Sequence, residues 1–201
     1  MRKILLTLSA LTLMTSVAMA APVTDLQKGQ SVAGYSYWNT KINVDNYDFG
    51  KINTNGFYAE TAIDEKLIVG IETMKGSKST TISGVAVSAD TRFTDVSLKY
   101  KLNKNVQLIA GNRSYDTNVS IAGTSASDTT SKFFYGVGTT TDINKNTTAY
   151  ASIIHSDIAD DWQIGVNHNL SKNVGLNVNY RSYSEDGFSL KGLGAGIAYK
   201  F

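Results

Sequence analysis

A short polar turn recurs four times along the chain. It occupies the three central residues of the segments 63–67, 102–106, 143–147 and 170–174. Apolar residues flank each turn on both sides, except that Thr147 follows the third. Tight turns between alternating segments are typical of β-hairpins, and Lys or Asn at the last turn position predicts a left-handed backbone there. The sequence therefore predicts four antiparallel hairpins.

Apolar and polar residues alternate on both sides of each turn, as strands with two different faces require. Around the second turn, one face carries Val96, Leu98, Tyr100, Val106 and Leu108, and the other carries Asp95, Ser97, Lys99, Gln107 and Arg113. The fourth hairpin repeats this pattern. One face is therefore apolar throughout and the other is polar.

Four turns imply eight strands, and one further strand at each end of the chain makes ten. The expected spans are 29–43, 52–64, 66–76, 91–102, 105–116, 132–143, 147–156, 160–170, 173–184 and 188–201. Eight strands are the alternative, if the first hairpin, which contains Gly50, Asn53 and Asn55, is irregular. The only proline is Pro22, so every later residue can donate its backbone N–H to a closed sheet.

The two ends of the predicted sheet differ. Four short turns close one end, whereas Ser/Thr/Gly-rich segments near residues 77–90 and 117–131 predict long loops at the other. Short periplasmic turns and longer outer loops are typical of membrane barrels, whose apolar face meets lipid and whose polar face lines the interior. The predicted fold is an all-β, transmembrane, antiparallel up-and-down β-barrel. A soluble barrel with its polar face outside is the alternative.

The first twenty residues have the pattern of a secretory signal peptide. Arg2 and Lys3 precede an apolar run, and Ala18-Met19-Ala20 fits a peptidase site. We expect residues 1–20 to be removed and residues 21–201 to form the barrel domain. Removal of these two cations lowers the formal charge from +2 to 0, which gives no electrostatic case for nucleic acid. Without cysteine a thiolate metal site is excluded, and we expect no cofactor.

Aromatic residues of the apolar face form two predicted girdles, as expected for a barrel in lipid. Near the turns lie Tyr100, Tyr199 and Phe201, and towards the other end lie Phe57, Phe133, Tyr135, Trp162 and Tyr180.

The last strand alternates Leu193, Ala195, Ile197, Tyr199 and Phe201 with small residues and Lys200. A terminal Phe on such a strand resembles the outer-membrane assembly signal. With the signal peptide and hairpins, the chain from residue 21 onwards resembles small outer-membrane barrels of the OmpA-transmembrane-domain, YfaZ-like or porin-like kind. This resemblance implies an outer-membrane location among lipids that include lipopolysaccharide. It also implies biogenesis through periplasmic chaperones and the barrel assembly machinery.

The polar face carries charges of both signs that can pair across a narrow interior. They are Glu60, Glu72, Asp95, Lys99, Arg113 and Arg181. If Leu102 and Val106 oppose each other, counting seven residues back along each strand sets Asp95 opposite Arg113. The alternative is that both side chains point into water above the membrane.

The best catalytic candidate is the cluster His155, Ser156, Asp157, Asp160 and Asp161 at the expected outer rim. His155 and Ser156 project to opposite faces of a regular strand, and a solvated loop explains the cluster equally well. His168 is isolated and gives poor support for a metal site.

The leading functional hypothesis is a non-enzymatic outer-membrane barrel with a role in envelope integrity or surface interaction and an interior largely filled by side chains. A narrow pore for small solutes and a rim enzyme acting on lipid A or peptides are the alternatives. The sequence pattern identifies no ligand of the loops.

Overall fold

The computed structural model describes residues 21–44, 47–82, 84–185 and 187–201. The predicted signal peptide, residues 1–20, lies outside these described residues. Within them, no helix is long and apolar enough to cross a membrane.

Ten antiparallel strands form one closed barrel in sequence order, and the first strand pairs with both the second and the last. They are β1 (Ser31–Val44), β2 (Tyr47–Ala62), β3 (Leu67–Ile82), β4 (Val85–Lys101), β5 (Val106–Ile121), β6 (Thr124–Asn144), β7 (Thr147–Ser156), β8 (Ala159–Asn169), β9 (Val174–Glu185) and β10 (Phe188–Lys200). The predicted up-and-down barrel of ten strands is confirmed, and the eight-strand alternative is wrong. We call the end with the four short turns the turn end, and the opposite end the loop end.

A side-chain oxygen at the first position of each short turn accepts backbone hydrogen bonds that stabilise the reversal of the chain. Asp64 Oδ1 accepts hydrogen bonds from the backbone N–H groups of Lys66 and Leu67, both at 2.7 Å. These two bonds lower the pKa of the Asp64 carboxyl below its ordinary value. Asn103, Asn144 and Ser171 accept corresponding bonds in the other three turns.

The prediction of a left-handed backbone conformation at the last residue of each short turn is wrong. Among the described residues, only Ala122 combines a side chain larger than glycine's hydrogen with a positive φ. The acceptor at the first turn position already bonds the N–H groups near the end of the turn, so the backbone reverses without leaving its ordinary angles.

The segments near 77–90 and 117–131 are strands, and their prediction as long loops is wrong. The β3–β4 pairing continues to Ile82 opposite Val85, and the β5–β6 pairing continues to Ile121 opposite Thr124. These segments are rich in Thr and Ser and include Val85, Val87, Val119 and Ile121, and Thr, Val and Ile are residues that suit a strand. Positive-φ glycines, Gly84 and Gly123, close the two tight turns.

The outward face of the barrel carries a continuous apolar belt. Its exposed members include Val69, Ile71, Val96, Leu98, Leu108, Val137, Ile153, Ile164, Val166, Leu176, Val178, Leu193 and Ile197. Single exposed apolar residues are ordinary on a soluble protein, but a belt drawn from most of the strands is not. The belt agrees with a barrel whose outside faces hydrocarbon.

An apolar cluster lies inside the barrel towards the loop end, formed among others by Trp38, Ile42, Met74, Phe93 and Tyr183. Trp38 lies over Gly194 of the neighbouring strand, where a Cβ atom would come within 2.1 Å of the indole. Gly194 thus makes room for this large side chain.

We expect Leu98→Arg to cost about 2–4 kcal/mol, because Leu98 lies in the belt where it would place a cation in hydrocarbon. Leu170→Arg, the same change at an exposed residue that flanks the fourth turn, should cost only about 0–1 kcal/mol near the interface. Urea unfolding in lipid vesicles measures both. Equal costs at the two positions would contradict the assignment of the belt to lipid.

Candidate functional site

Seven charged side chains form a layer across the barrel interior, which we call the charged layer. Each occupies an inward position between outward neighbours on its strand, and each is at most 4% exposed. They are Glu60, Glu72, Asp95, Lys99, Arg113, Asp161 and Arg181. All six interior charges named from the sequence therefore lie together inside the barrel, with Asp161 added.

Asp95 and Arg113 face each other across β4 and β5, in the register counted from the second turn. The guanidinium donates two hydrogen bonds to the carboxylate, Nε to Oδ1 at 2.7 Å and Nη2 to Oδ2 at 2.6 Å. Arg113 also lies 5.8 Å from the ring centre of Phe93 and 5.1 Å from that of Phe134. Both charged side chains are nearly fully buried, so the alternative that they point into water is wrong.

Two further ion pairs complete the paired part of the charged layer. Arg181 donates to both carboxylate oxygens of Asp161, with Nε to Oδ1 at 2.7 Å, and Lys99 donates to Glu60. The sequence pattern predicts that Asp161 belongs to the rim cluster, whereas the structure places its side chain inside the barrel. Its alternation with the outward Trp162 was the signal that places it inside.

The N-terminal segment, residues 21–28, enters the barrel from the turn end and was not anticipated from the sequence. Its backbone carbonyls accept hydrogen bonds from inward side chains. Gln163 donates to Ala21, Asn167 to Val23, Gln107 to Thr24 and Lys101 to Leu26. Thr24 donates to Glu60 at 2.5 Å, which ties the segment to the charged layer.

Amide side chains on β9 link the apolar cluster to the centre of the interior. Trp38 Nε1 donates to Asn179 Oδ1 at 2.7 Å, and Asn179 Nδ2 donates to Asn177 Oδ1 at 2.6 Å. Asn177 Nδ2 donates to the Tyr150 hydroxyl at 2.9 Å. A buried network with its members paired in this way makes the interior rigid.

The candidate catalytic cluster does not converge on one place. His155 and Asp160 project outwards, with Nδ1 and Oδ1 2.7 Å apart and both side chains more than half exposed. Ser156 is buried and bonds to Ala159, and Asp161 is held by Arg181. The described residues contain no group of three or more potential metal ligands. His168 projects outwards and contacts Thr147 at 3.0 Å.

The girdle residues all project outwards. Trp162 packs against Tyr180 with ring centres 5.7 Å apart, and Tyr199 packs against Phe201 at 5.1 Å. The Phe201 backbone N–H donates to the Ser31 carbonyl at 2.8 Å, beside the β1–β10 seam that closes the barrel.

Residues 8–163 match the family described as outer membrane protein beta-barrel domain. The chain belongs to this family. It is therefore a small outer-membrane β-barrel protein, as the resemblance in its C-terminal strand and hairpins implied. No curated protein sequence matches the chain.

Two solved structures share the fold at low sequence identity, and a third is similar with a lower TM-score. The translocator domain of the autotransporter NalP from Neisseria meningitidis is 9% identical, with a TM-score of 0.56 over 97% of this chain and 94% of that one. The outer membrane protease OmpT from Escherichia coli is 10% identical, with a TM-score of 0.51 over 93% and 100%. Ail, the attachment invasion locus protein of Yersinia pestis, is 14% identical, with a TM-score of 0.48 over 87% and 100%.

We expect Asp95→Ala and Arg113→Ala each to destabilise the barrel by about 3–5 kcal/mol, because each leaves a buried charge without its partner. The double variant should cost much less than the sum of the two. A double-mutant cycle on the free energy of unfolding measures the coupling. Coupling near zero would contradict a structural role for this pair.

Proposed function

We propose that this protein is a non-enzymatic outer-membrane barrel that acts in surface interaction or envelope integrity and whose interior does not conduct solutes. The observation that carries the proposal is the succession of buried groups along the barrel axis. The apolar cluster occupies the loop end, the charged layer follows, and the N-terminal segment occupies the turn end.

The size of the barrel supports the same conclusion. A barrel of eight to ten strands encloses a space little wider than its own side chains, whereas water-filled porins use about sixteen or more strands. Here Trp38, Phe93 and Tyr183 are almost fully buried inside. Solute passage would require these aromatic side chains and the ion pairs below them to move together.

A narrow pore is the second candidate, and one cavity favours it. A space of about 460 Å³ opens at the turn end, lined among others by Asp25, Lys104, Lys145 and Lys172. Val23, Thr24 and Tyr58 line its inner part. In the proposed function this cavity is a vestibule that ends at the N-terminal segment.

We expect the purified barrel to give no single-channel steps in a planar lipid bilayer, because the charged layer and apolar cluster leave no continuous water path. A porin reconstituted in the same bilayer serves as the positive control. Steady unitary conductance that Trp38→Ala increases would favour the narrow pore over the proposed non-conducting barrel.

An enzyme of the outer rim has little support in the geometry. A general base and a nucleophile have to lie within hydrogen-bonding reach of one another. His155 and Ser156 face opposite sides of β7. Ser156, the serine of the candidate catalytic cluster, is therefore out of reach of the His155–Asp160 pair.

The loop-end parts of β3 to β6 are the candidate interaction surface. The whole stretch 124–131 of β6 is exposed on both faces of the strand, and it consists of Ser, Thr, Ala and Asp. A strand that is polar on both faces does not suit hydrocarbon. We propose that these extended hairpins rise above the membrane and meet the partner, next to the lipopolysaccharide leaflet.

Export and assembly follow from the same proposal. We propose that a peptidase cleaves after Ala20, and that periplasmic chaperones and the barrel assembly machinery then insert the chain, with Tyr199 and Phe201 as the assembly signal. The burial of Ala21 supports the cleavage site, because a mature N-terminus at this residue fits within the barrel interior. The outward position of Phe201 beside the closing seam supports its role.

The orientation can be tested with single cysteines, because the chain has none of its own. We expect Ser127→Cys, in the β6 extension, to react with a membrane-impermeant maleimide on intact cells. Lys104→Cys, in a turn at the other end, should react only after the outer membrane is permeabilised. The reverse pattern would place the proposed interaction surface in the periplasm and overturn this part of the proposal.

A further inference from the structure

Among the described residues, the charged layer contains four carboxylates and three cations. Of its four buried carboxylates, three are paired, in Glu60–Lys99, Asp95–Arg113 and Asp161–Arg181. Neither carboxylate oxygen of Glu72 has a hydrogen-bond partner among the described residues, and the side chain is 3% exposed. An ionised carboxylate in such a place is costly unless a cation or a hydrogen-bond donor meets it.

The neighbours of Glu72 increase this cost. Glu72 lies directly opposite Asp95 in the β3–β4 register, and like charges opposite one another destabilise a sheet. Arg113 already uses two N–H groups on Asp95, and Lys99 bonds Glu60. Glu72 therefore calls for a donor that the paired cations do not supply.

Ala21 lies close to Glu72. It is buried, and it lines a cavity of about 20 Å³ together with Glu60, Glu72, Asp95 and Lys99. This volume suits a group about the size of one water molecule. An ammonium group has that size, carries one positive charge and donates three hydrogen bonds.

A second unpartnered acceptor lies next to Ala21. Gln163 donates its Nε2 to the Ala21 carbonyl at 3.2 Å, while its buried Oε1 has no partner among the described residues. Two acceptors without donors, Glu72 and Gln163, thus flank one residue at the start of the N-terminal segment.

We propose that Glu72 is the binding site for the α-ammonium group that cleavage after Ala20 creates at Ala21. The ammonium donates to the Glu72 carboxylate and to Gln163 Oε1, and it brings the buried charges of the layer to balance. Processing thereby completes the interior and fixes the N-terminal segment in the barrel. This inference rests on the cleavage site in the proposed function.

The test is a cycle of two changes in the full-length precursor, expressed, exported and purified from the outer membrane. Glu72→Gln removes the charge and keeps the size of the side chain. Two glycines inserted between Ala20 and Ala21 move the new ammonium by about 7 Å. The unfolding rate in urea is measured for the wild type, both single variants and the double variant. Glu65→Gln, at an exposed carboxylate of the first turn, is the matched control.

We expect each single change to raise the unfolding rate at least about tenfold, the double variant to unfold little faster than either, and Glu65→Gln to have no such effect. If the insertion costs the same with and without Glu72, the cost is steric crowding and the proposal is wrong. If Glu72→Gln leaves the unfolding rate unchanged, the carboxyl is neutral or bound to water and the proposal is wrong.

A measurement on the unchanged protein guards against variants that fail to fold. 2-Pyridinecarboxaldehyde reacts selectively with free N-terminal amines. It should react with Ala21 slowly in the folded barrel and rapidly after unfolding in urea. Equal rates in the two states would show an exposed terminus and overturn the inference.

Intact mass separates this inference from the proposed function. A mass that corresponds to residues 21–201, combined with no coupling in the cycle, overturns only the Glu72 site. A mass that shows another N-terminus overturns the proposed cleavage site and the Glu72 site together, and leaves the non-conducting barrel to be judged by its conductance.

Discussion

Hydrocarbon offers no hydrogen-bond partner to the peptide backbone, so each strand that crosses it has to pair on both edges within the protein. The barrel meets this demand by pairing β1 with β10 as well as with β2. Closure has a second consequence, because side chains alternate along a strand. The side chains that do not face the lipid all point into one narrow interior, where polar groups have to form hydrogen bonds with each other.

The interior of this barrel is organised by that second consequence. Charges inside it are removed from bulk water, so each one is stable only beside an opposite charge or a hydrogen-bond partner, which is a donor for a carboxylate and an acceptor for a cation. The bidentate pairs of Arg113 with Asp95 and of Arg181 with Asp161 have the planar geometry that suits such places. The same requirement makes the unpaired Glu72 informative, since on a solvated surface its lack of a partner would mean nothing.

Much of the fold could be predicted because the alternation has a period of two and each turn sets a register. The Asp95–Arg113 opposition needed only a count from the second turn. The extent of β3 to β6 could not be predicted in this way, because a Ser/Thr-rich segment such as 124–131 is compatible with a loop or a solvated strand. The partner of Arg181 was also missed, because Asp161 stands beside Asp160 and His155 in the sequence while its side chain projects to the other face of the sheet.

The N-terminal segment lay beyond pattern reasoning because it follows neither strand nor helix periodicity. Its backbone is bonded by side chains instead: amides from Gln107, Gln163 and Asn167 reach the carbonyls that a neighbouring strand would otherwise bond. Such amides are costly to bury without partners. Because they are uncharged, the ion pairs of the charged layer do not explain why they are buried. Their presence on the inward face is explained once the segment is inside, because their N–H groups then donate to its carbonyls. Removal of the segment would thus leave these inward amides without acceptors, which makes the segment part of the folded interior rather than a tail that happens to occupy it.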